Sequence, residues 1–494
     1  MSDGYAIQLE EVSFRYEGEA GHALRGLSFA VLQGEWVAVI GRSGSGKSTL
    51  CQLLNGYLPR SGGGNREGTL KVGGLDPLHA SIAEMANTCG LVFQDPDAQL
   101  VQGIVEDEVA FGPENLCLAP SVIMERISDA LQAVSLTELR DERITALSGG
   151  QKQRTAISAI LALAPPILVL DAATSSLDPP AQQQLVQLCA ALHQQGRTLL
   201  TSSGRFDDQA RHASRVIVLD EGTVRFDGPP EVLLRDHHAE LTALGLLPQP
   251  GRMPAAIGWQ PSGEPPLLNM RGLSFTYPGG HKALQEVNGT LSAGQWTVLT
   301  GDNGSGKTTL SRLLMGLLPV PKGALFLVGK ELARYDASDL SSKIGYVFQQ
   351  PEHQFVASTV WEECTYDIRA SLASRENTDI PPEWKSKVEE LLKLAGLSHK
   401  KEASPYSLGG GEKRLLSVIT QFLLDKSIYV LDEPSAGMDY IGMEILTGLC
   451  QLQLSKGAAI LMITHDPHYF LPYADQHWEL DRGILKKHNS FHEK

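Results

Sequence analysis

The segment GRSGSGKSTL, Gly41 to Leu50, recurs as GDNGSGKTTL, Gly301 to Leu310, in a chain of 494 residues. Each copy follows a short apolar run, WVAVI or WTVLT, and opens a helical pattern, so each reads as strand, tight glycine turn and helix start. Glycines let successive backbone N–H groups turn inward around phosphate oxygens, and the helix N-terminus adds a favourable dipole. The expected nucleotide-binding residues are Gly41, Ser43, Gly44, Gly46, Lys47, Ser48 and Thr49 in the first copy. In the second they are Gly301, Asn303, Gly304, Gly306, Lys307, Thr308 and Thr309. Lys47 and Lys307 would reach the β- and γ-phosphates, and Ser48 and Thr308 would hold magnesium, which makes ATP and Mg2+ the expected ligands.

Other segments repeat in the same order. LVFQDPDAQ at Leu91 returns as YVFQQPEHQ at Tyr346, and LDAATSSLD at Leu170 returns as LDEPSAGMD at Leu431. Unlike segments recurring at nearly one spacing indicate a duplicated domain, and so long a period means two domains in tandem, not a solenoid. Between them PQPGRMPAAIGWQPSGEPP, Pro248 to Pro266, is too rich in proline to pack a core. At about 3.1 Å per residue it would bridge on the order of 60 Å. The expected organisation is a first domain over 1–247, a linker over 248–266 and a second domain over 267–494. Strand and helix patterns alternate within each domain, which argues for an α/β fold with a largely parallel sheet. The runs VSFRY, LSFAV and LSFTY suggest an added antiparallel layer.

Composition narrows the class. Hydrophobic residues make up 42% and charged residues 20%, a globular balance, and no apolar run reaches the ~18 residues of a membrane span. The start, MSDGYAIQLEEV, lacks the basic and apolar regions of a secretory signal. Six scattered cysteines without a C-x-x-C pair read as reduced structural thiols, which points to a cytosolic protein. A net charge of −15 weighs against nucleic acid as the partner. Glu106 and Glu108 read either as a face for a basic partner or as a solvated surface, and Lys486-Lys487 as a short solvated tail.

Asp171 and Asp432 end apolar strands and would hold the magnesium through its water shell. Glu433, next in line, can orient the attacking water and accept its proton. Tyr16 and Tyr277 precede the phosphate-loop lysines by 31 and 30 residues and would stack on adenine, although an aromatic in a hairpin packs on the core as readily.

The segment LSGGQKQRTAISAILALAPPILVLD, Leu147 to Asp171, resembles the signature helix and following strand of ATP-binding-cassette (ABC) ATPases. That resemblance covers nearly the whole chain as two cassettes, each implied to carry a helical subdomain beside its sheet. It implies magnesium and γ-phosphate roles for Gln94 and Gln349, nucleotide contacts from Ser148, Gly149, Gly150 and Gln151, and a switch role for His465. It also implies head-to-tail pairing, each ATP lying between the phosphate loop of one cassette and the signature of the other. A narrower likeness sits in FQDPDAQLVQGIVEDEVAFGPENL, Phe93 to Leu116, which is similar to the ATPase subunits of energy-coupling-factor (ECF) importers. It implies a peripheral position on the cytoplasmic face of the membrane, with a transmembrane coupling subunit and a substrate-binding membrane subunit as partners. The solute would be a vitamin, a vitamin precursor or a transition-metal ion, with the hydroxymethylpyrimidine/thiamine type first.

The copies depart from the family pattern unequally. The first has Ala172 where the second has Glu433, and Gly204 where the second has His465. The second has Gly409 in LGGGE where the first has Ser148 in LSGGQ. Under head-to-tail pairing all three changes fall in one composite site, leaving Lys307, Asp432, Glu433 and His465 opposite an intact signature. A soluble tandem cassette acting on ribosomes or nucleic acid and a regulatory clamp are the competing readings. The proline-rich linker tells against the first, and Glu433 with His465 tells against the second.

Overall fold

A computed structural model describes residues 4–19, 21–174, 177–249, 265–372 and 380–488. Most of the linker (250–264) and two residues of LDAATSSLD, Ser175 and Ser176, lie outside the described residues. The chain divides into two compact units, Met1–Gln249 with Gly437–Tyr440, and Pro250–Ala436 with Ile441–Lys494.

Each unit is built on a six-stranded sheet of one topology. In the first, the order is Cys89–Val92, Ile167–Asp171, Thr198–Ser203, Trp36–Gly41, Arg215–Asp220 and Thr223–Gly228. Its first five strands are parallel and the last is antiparallel. The second repeats this with Ile344–Val347, Ile428–Asp432, Ala459–Ile463, Trp296–Thr300, Gln476–Asp481 and Ile484–His488. Lys486 and Lys487 are exposed, as a solvated end would be, but lie in an edge strand, with Lys486 paired to Asp481 at 2.9 Å.

The strand WVAVI shows why these residues sit at the centre. Trp36, Ala38 and Ile40 enter one apolar cluster and Val37 and Val39 enter the other, so burial on both faces explains the unbroken hydrophobic run. One face is covered by the expected antiparallel layer, Leu24–Leu32, Tyr5–Arg15 and Asn65–Val72 in the first unit. In the second it is Lys282–Leu291, Leu268–Thr276, Leu325–Leu327 and Lys330–Glu331. The helices Val105–Asn115, Pro120–Ala133 and Gly149–Leu163, and their counterparts Val360–Leu372, Pro382–Leu394 and Gly410–Leu423, form the helical part of each unit. The α/β reading of two cassettes, each with an antiparallel layer and a helical group, holds.

Parallel strands end at one edge, so each sheet presents its phosphate loop, strand-end aspartate and following loop together. Ladder register fixes the equivalences: Asp171 pairs with Ser202 and Asp432 with Ile463. Two residues further on, Gly204 and His465 occupy the same place.

Candidate functional site

Both phosphate loops turn into helices, Lys47–Asn55 and Lys307–Leu314, whose N-caps are Gly46 (φ 97°) and Gly306 (φ 110°). A Cβ at either would meet backbone, Ala23 O at 2.7 Å or Ala283 O at 2.4 Å, so only glycine fits. Neither helix has a side-chain cap or an acid in its first turn. Their leading N–H groups thus have no side-chain cap, and a Cβ on Gly44 or Gly304 would touch nothing within 4 Å. Lys47 Nζ donates to Gly41 O and Arg42 O, both at 2.7 Å, and Lys307 Nζ to Gly301 O at 2.5 Å and Asp302 O at 3.0 Å. Burial pulls the Lys47 pKa down to about 8 against the opposing pull of Asp171. Uncapped donors, open space and a desolvated ammonium together fit a bound polyphosphate.

The aspartates fit a cation. Burial pushes both the Asp171 and the Asp432 carboxyl upward, which a divalent ion would offset. The Ser202 and Ser48 hydroxyls oppose that rise at Asp171, while Thr308 is exposed beside its lysine. Gln94 and Gln349 follow the strands Cys89–Val92 and Ile344–Val347 and are half-buried.

Glu433 and His465 come together. Glu433 Oε2 accepts the backbone N–H of His465 at 3.1 Å, and Oε1 lies 3.3 Å from His465 Nε2. Burial, reinforced by the charge of Asp432, drives the Glu433 pKa well up. In the first cassette Ala172 N donates instead to Ser202 Oγ at 3.0 Å. Asp207, a conceivable stand-in acid, is spent on capping the helix Asp208–His212, accepting Ala210 N at 3.0 Å.

Ser148 caps its helix, Oγ accepting Gln151 N at 3.3 Å while Gln151 Oε1 accepts Ser148 N at 2.8 Å. Gly149 and Gly150 form the first turn. Gly409 retains half of this box, its N–H donating to Glu412 Oε2 at 2.9 Å, and has no hydroxyl to offer.

Tyr16 and Tyr277 are tied to the loops they precede. Their hydroxyls lie 3.0 Å from Thr49 Oγ1 and 3.1 Å from Thr309 Oγ1, and each ring meets a phenylalanine edge-on, Phe14 or Phe275. This bond between tyrosine and loop helix, made alike in both cassettes, was not legible from spacing alone.

The roles of three further residues, Arg414, Glu108 and Glu363, escaped sequence reasoning. Arg414 donates through Nη1 to Gln349 O at 2.9 Å and to Glu433 O at 2.8 Å, joining the backbones of two candidate catalytic residues. The matching residue in the first cassette is Gln153, which makes one long bond, 3.4 Å, to Phe93 O. Glu108 is 4% exposed and its Oε2 accepts Val101 N at 2.8 Å and Gln102 N at 2.7 Å. Glu363 does the same for Val356 and Ala357 at 2.9 and 2.8 Å. The surface readings therefore fail for Glu108, an internal brace, whereas Glu106 stays at the surface, its side chain 28% exposed and chelated by Arg140. The braced loops present Val101 and Val356, 64% and 62% exposed.

The sequence profile of the ABC transporter family matches residues 24–175 and 284–436. A Bacillus subtilis (strain 168) protein named "Putative HMP/thiamine import ATP-binding protein YkoD" is 34% identical over 496 residues, 95% of this chain and 88% of its own. A "Putative ABC transporter ATP-binding protein" of Methanosarcina acetivorans is 31% identical over 527 residues, 97% of this chain and 85% of its own. Among solved structures, that of cbiO1 from Clostridium perfringens, part of the ABC transporter complex cbiONQ, is 30% identical. It covers 49% of this chain and 96% of its own, with a TM-score of 0.43. With the profile matching both halves, and relatives alike over nearly their whole length, the chain belongs to the ABC transporter family and is an ATP-binding ATPase with two cassettes in tandem.

Proposed function

We propose that this chain is the ATP-hydrolysing subunit of an ECF-type importer for a vitamin, vitamin precursor or transition-metal ion, with a thiamine precursor first. The full-length likeness to a protein named for HMP/thiamine import carries the reading. It is supported by the ECF-like run from Phe93 to Leu116. Among the described residues no helix is long and apolar enough to cross a membrane. The membrane passage therefore falls to separate coupling and substrate-binding subunits, with this chain peripheral on the cytoplasmic face. The cassettes, 1–247 and 267–494 joined by 248–266, close head to tail on two ATP molecules.

Within the hydrolytic site, Lys307 and the loop donors from Gly301 to Thr309 hold the phosphates, with Asn303 at the loop's open side. Glu433 orients water and takes its proton, a task suited to a carboxyl whose proton affinity is raised. His465 steadies the Glu433 carboxylate, and Gln349 faces the γ-phosphate. Ser148 of the first cassette, whose proton its cap does not use, donates to the same phosphate. Magnesium, held by Thr308, Asp432 and Gln349, and in the other site by Ser48, Asp171 and Gln94, would neutralise phosphate charge. The site of Lys47, Ala172 and Gly204 holds ATP and turns over slowly.

Removing a general base commonly costs roughly 10²–10⁴ in rate, ~3–5.5 kcal/mol of barrier. Glu433→Gln should therefore abolish steady-state phosphate release, and near-native release would overturn the assignment of sites. Detergent pull-down should recover small hydrophobic membrane subunits; recovery of ribosomes or nucleic acid would overturn the transport reading.

A further inference from the structure

The two strand-end aspartates are held by hydroxyls arriving from opposite sides. In the first cassette Ser202, on the strand Thr198–Ser203, donates to Asp171 Oδ1 at 2.6 Å. Its oxygen also accepts Ala172 N, so one serine ties down both the aspartate and the residue that replaces the acid. In the second cassette the ladder partner of Asp432 is Ile463, which has no hydroxyl. Glu433 N donates to the Ile463 carbonyl at 3.0 Å. The hydroxyl comes from Tyr346 on the other flanking strand, Ile344–Val347, which donates to Asp432 Oδ2 at 2.8 Å and lies 3.2 Å from Ser311 Oγ. The first cassette has Leu91 and Cys51 at these two positions.

We propose that Tyr346 is a positioning residue of the hydrolytic site, fixing the Asp432 carboxylate for magnesium from the side away from Glu433 and His465. The inference rests on the reading of Asp432 as a magnesium-holding group in the site that hydrolyses. The terminal torsion of an aspartate is broad, so a buried carboxylate with one oxygen pinned has its plane set and the other oxygen free. Tyr346 pins it from a rigid place, its ring buried in the apolar cluster and edge-on to Phe348 at 4.9 Å. Strand order supplies the reason for the exchange. Ile428–Asp432 lies between Ile344–Val347 and Ala459–Ile463, and His465 follows the latter. A hydroxyl at position 463 would take the place that Ser202 takes, against the backbone of residue 433. Moving the donor to Tyr346 leaves that side to the Glu433–His465 pair.

The test is phosphate release by the full chain titrated with free Mg2+. Tyr346→Phe keeps the ring and removes the donor. One charge-assisted hydrogen bond corresponds to about a tenfold change. The half-saturating Mg2+ should rise about tenfold, with kcat at saturating Mg2+ near the parent value and ATP binding in EDTA unchanged. A merely structural loss would lower binding in EDTA as well. Adding Ile463→Ser to Tyr346→Phe should draw the Mg2+ requirement back toward the parent by supplying the donor from the first cassette's side. A half-saturation within twofold of the parent in Tyr346→Phe overturns the inference. Glu433→Gln run in parallel separates the two failures: if it still turns over, the choice of site is wrong, and if it is dead while Tyr346→Phe is unshifted, only the role of Tyr346 fails.

Discussion

At the end of the catalytic strand the cassettes differ in side chain and agree in backbone. Ala172 has φ 46° and Glu433 φ 50°, both in the left-handed region that side-chain-bearing residues avoid at a cost of about 1–2 kcal/mol. The second cassette spends that strain aiming a carboxylate at His465, while the first bears it with only a methyl group to aim. The difference teaches that the acid has gone from the first cassette without the frame that presented it. The strand, the turn and the strand-end aspartate remain, which suits the site proposed to hold ATP and turn it over slowly.

The largest effects should come from trying to undo this inequality. In a Glu433→Gln background, Ala172→Glu alone should leave phosphate release roughly 10²–10⁴ below the parent, because one carboxylate does not replace the missing histidine contact. Recovery to within tenfold of the parent would show that the first site lacks nothing but its acid. The next effect concerns Arg414. Exchanging it for the residue of the first cassette, Arg414→Gln, removes a guanidinium that holds Gln349 O and Glu433 O together. Losing hydrogen bonds of that charged kind corresponds to about a tenfold drop in kcat. An unchanged kcat would mean that the catalytic backbone is held without it.

Where the cassettes agree, the comparison can be sharpened in the other sense. Glu108 and Glu363 brace equivalent loops with equivalent bonds, so removing them should have matching consequences. Glu108→Ala should raise hydrogen exchange at Val101 and Gln102, and Glu363→Ala at Val356 and Ala357, each by about 10–100-fold. Unequal responses would show that one loop has a second support. If these loops receive the membrane partner, either variant should uncouple transport from ATP use before it alters basal turnover.

Much of this was legible in the sequence because it rests on local chemistry. The phosphate loops need glycines where a Cβ would strike Ala23 or Ala283, and Asp171 and Asp432 end runs of apolar residues buried on both faces. The duplication made each assignment twice over, and it exposed Ala172 and Gly204 as departures. Features that escaped depend on partners far apart in the chain. Nothing near Tyr346 announces Asp432, 86 residues on, and Arg414 lies 65 residues from Gln349. Glu108 misled for a related reason: in a helix opening Glu106, Asp107, Glu108, a run of acids reads as solvated surface, yet the third turns inward to two backbone donors.

The smallest effect is the most direct measure of the retained frame. Ala172→Gly removes the Cβ that makes the left-handed turn costly, and gives up almost no packing, since the side chain is a single methyl. Glycine also loses more freedom on folding, which offsets part of the gain, so the net should be a stabilisation of about 0.5–1 kcal/mol. For a domain of this size that is a rise of roughly 1–4 °C in Tm, measured on the full chain with and without ATP. The same change at Glu433 relieves the same turn but removes the acid and its contact with His465. A gain at position 172 with abolished turnover at 433 would separate backbone strain from the side chain that uses it. Destabilisation by Ala172→Gly would mean that the methyl group still packs, and that the frame in the first cassette has settled around alanine.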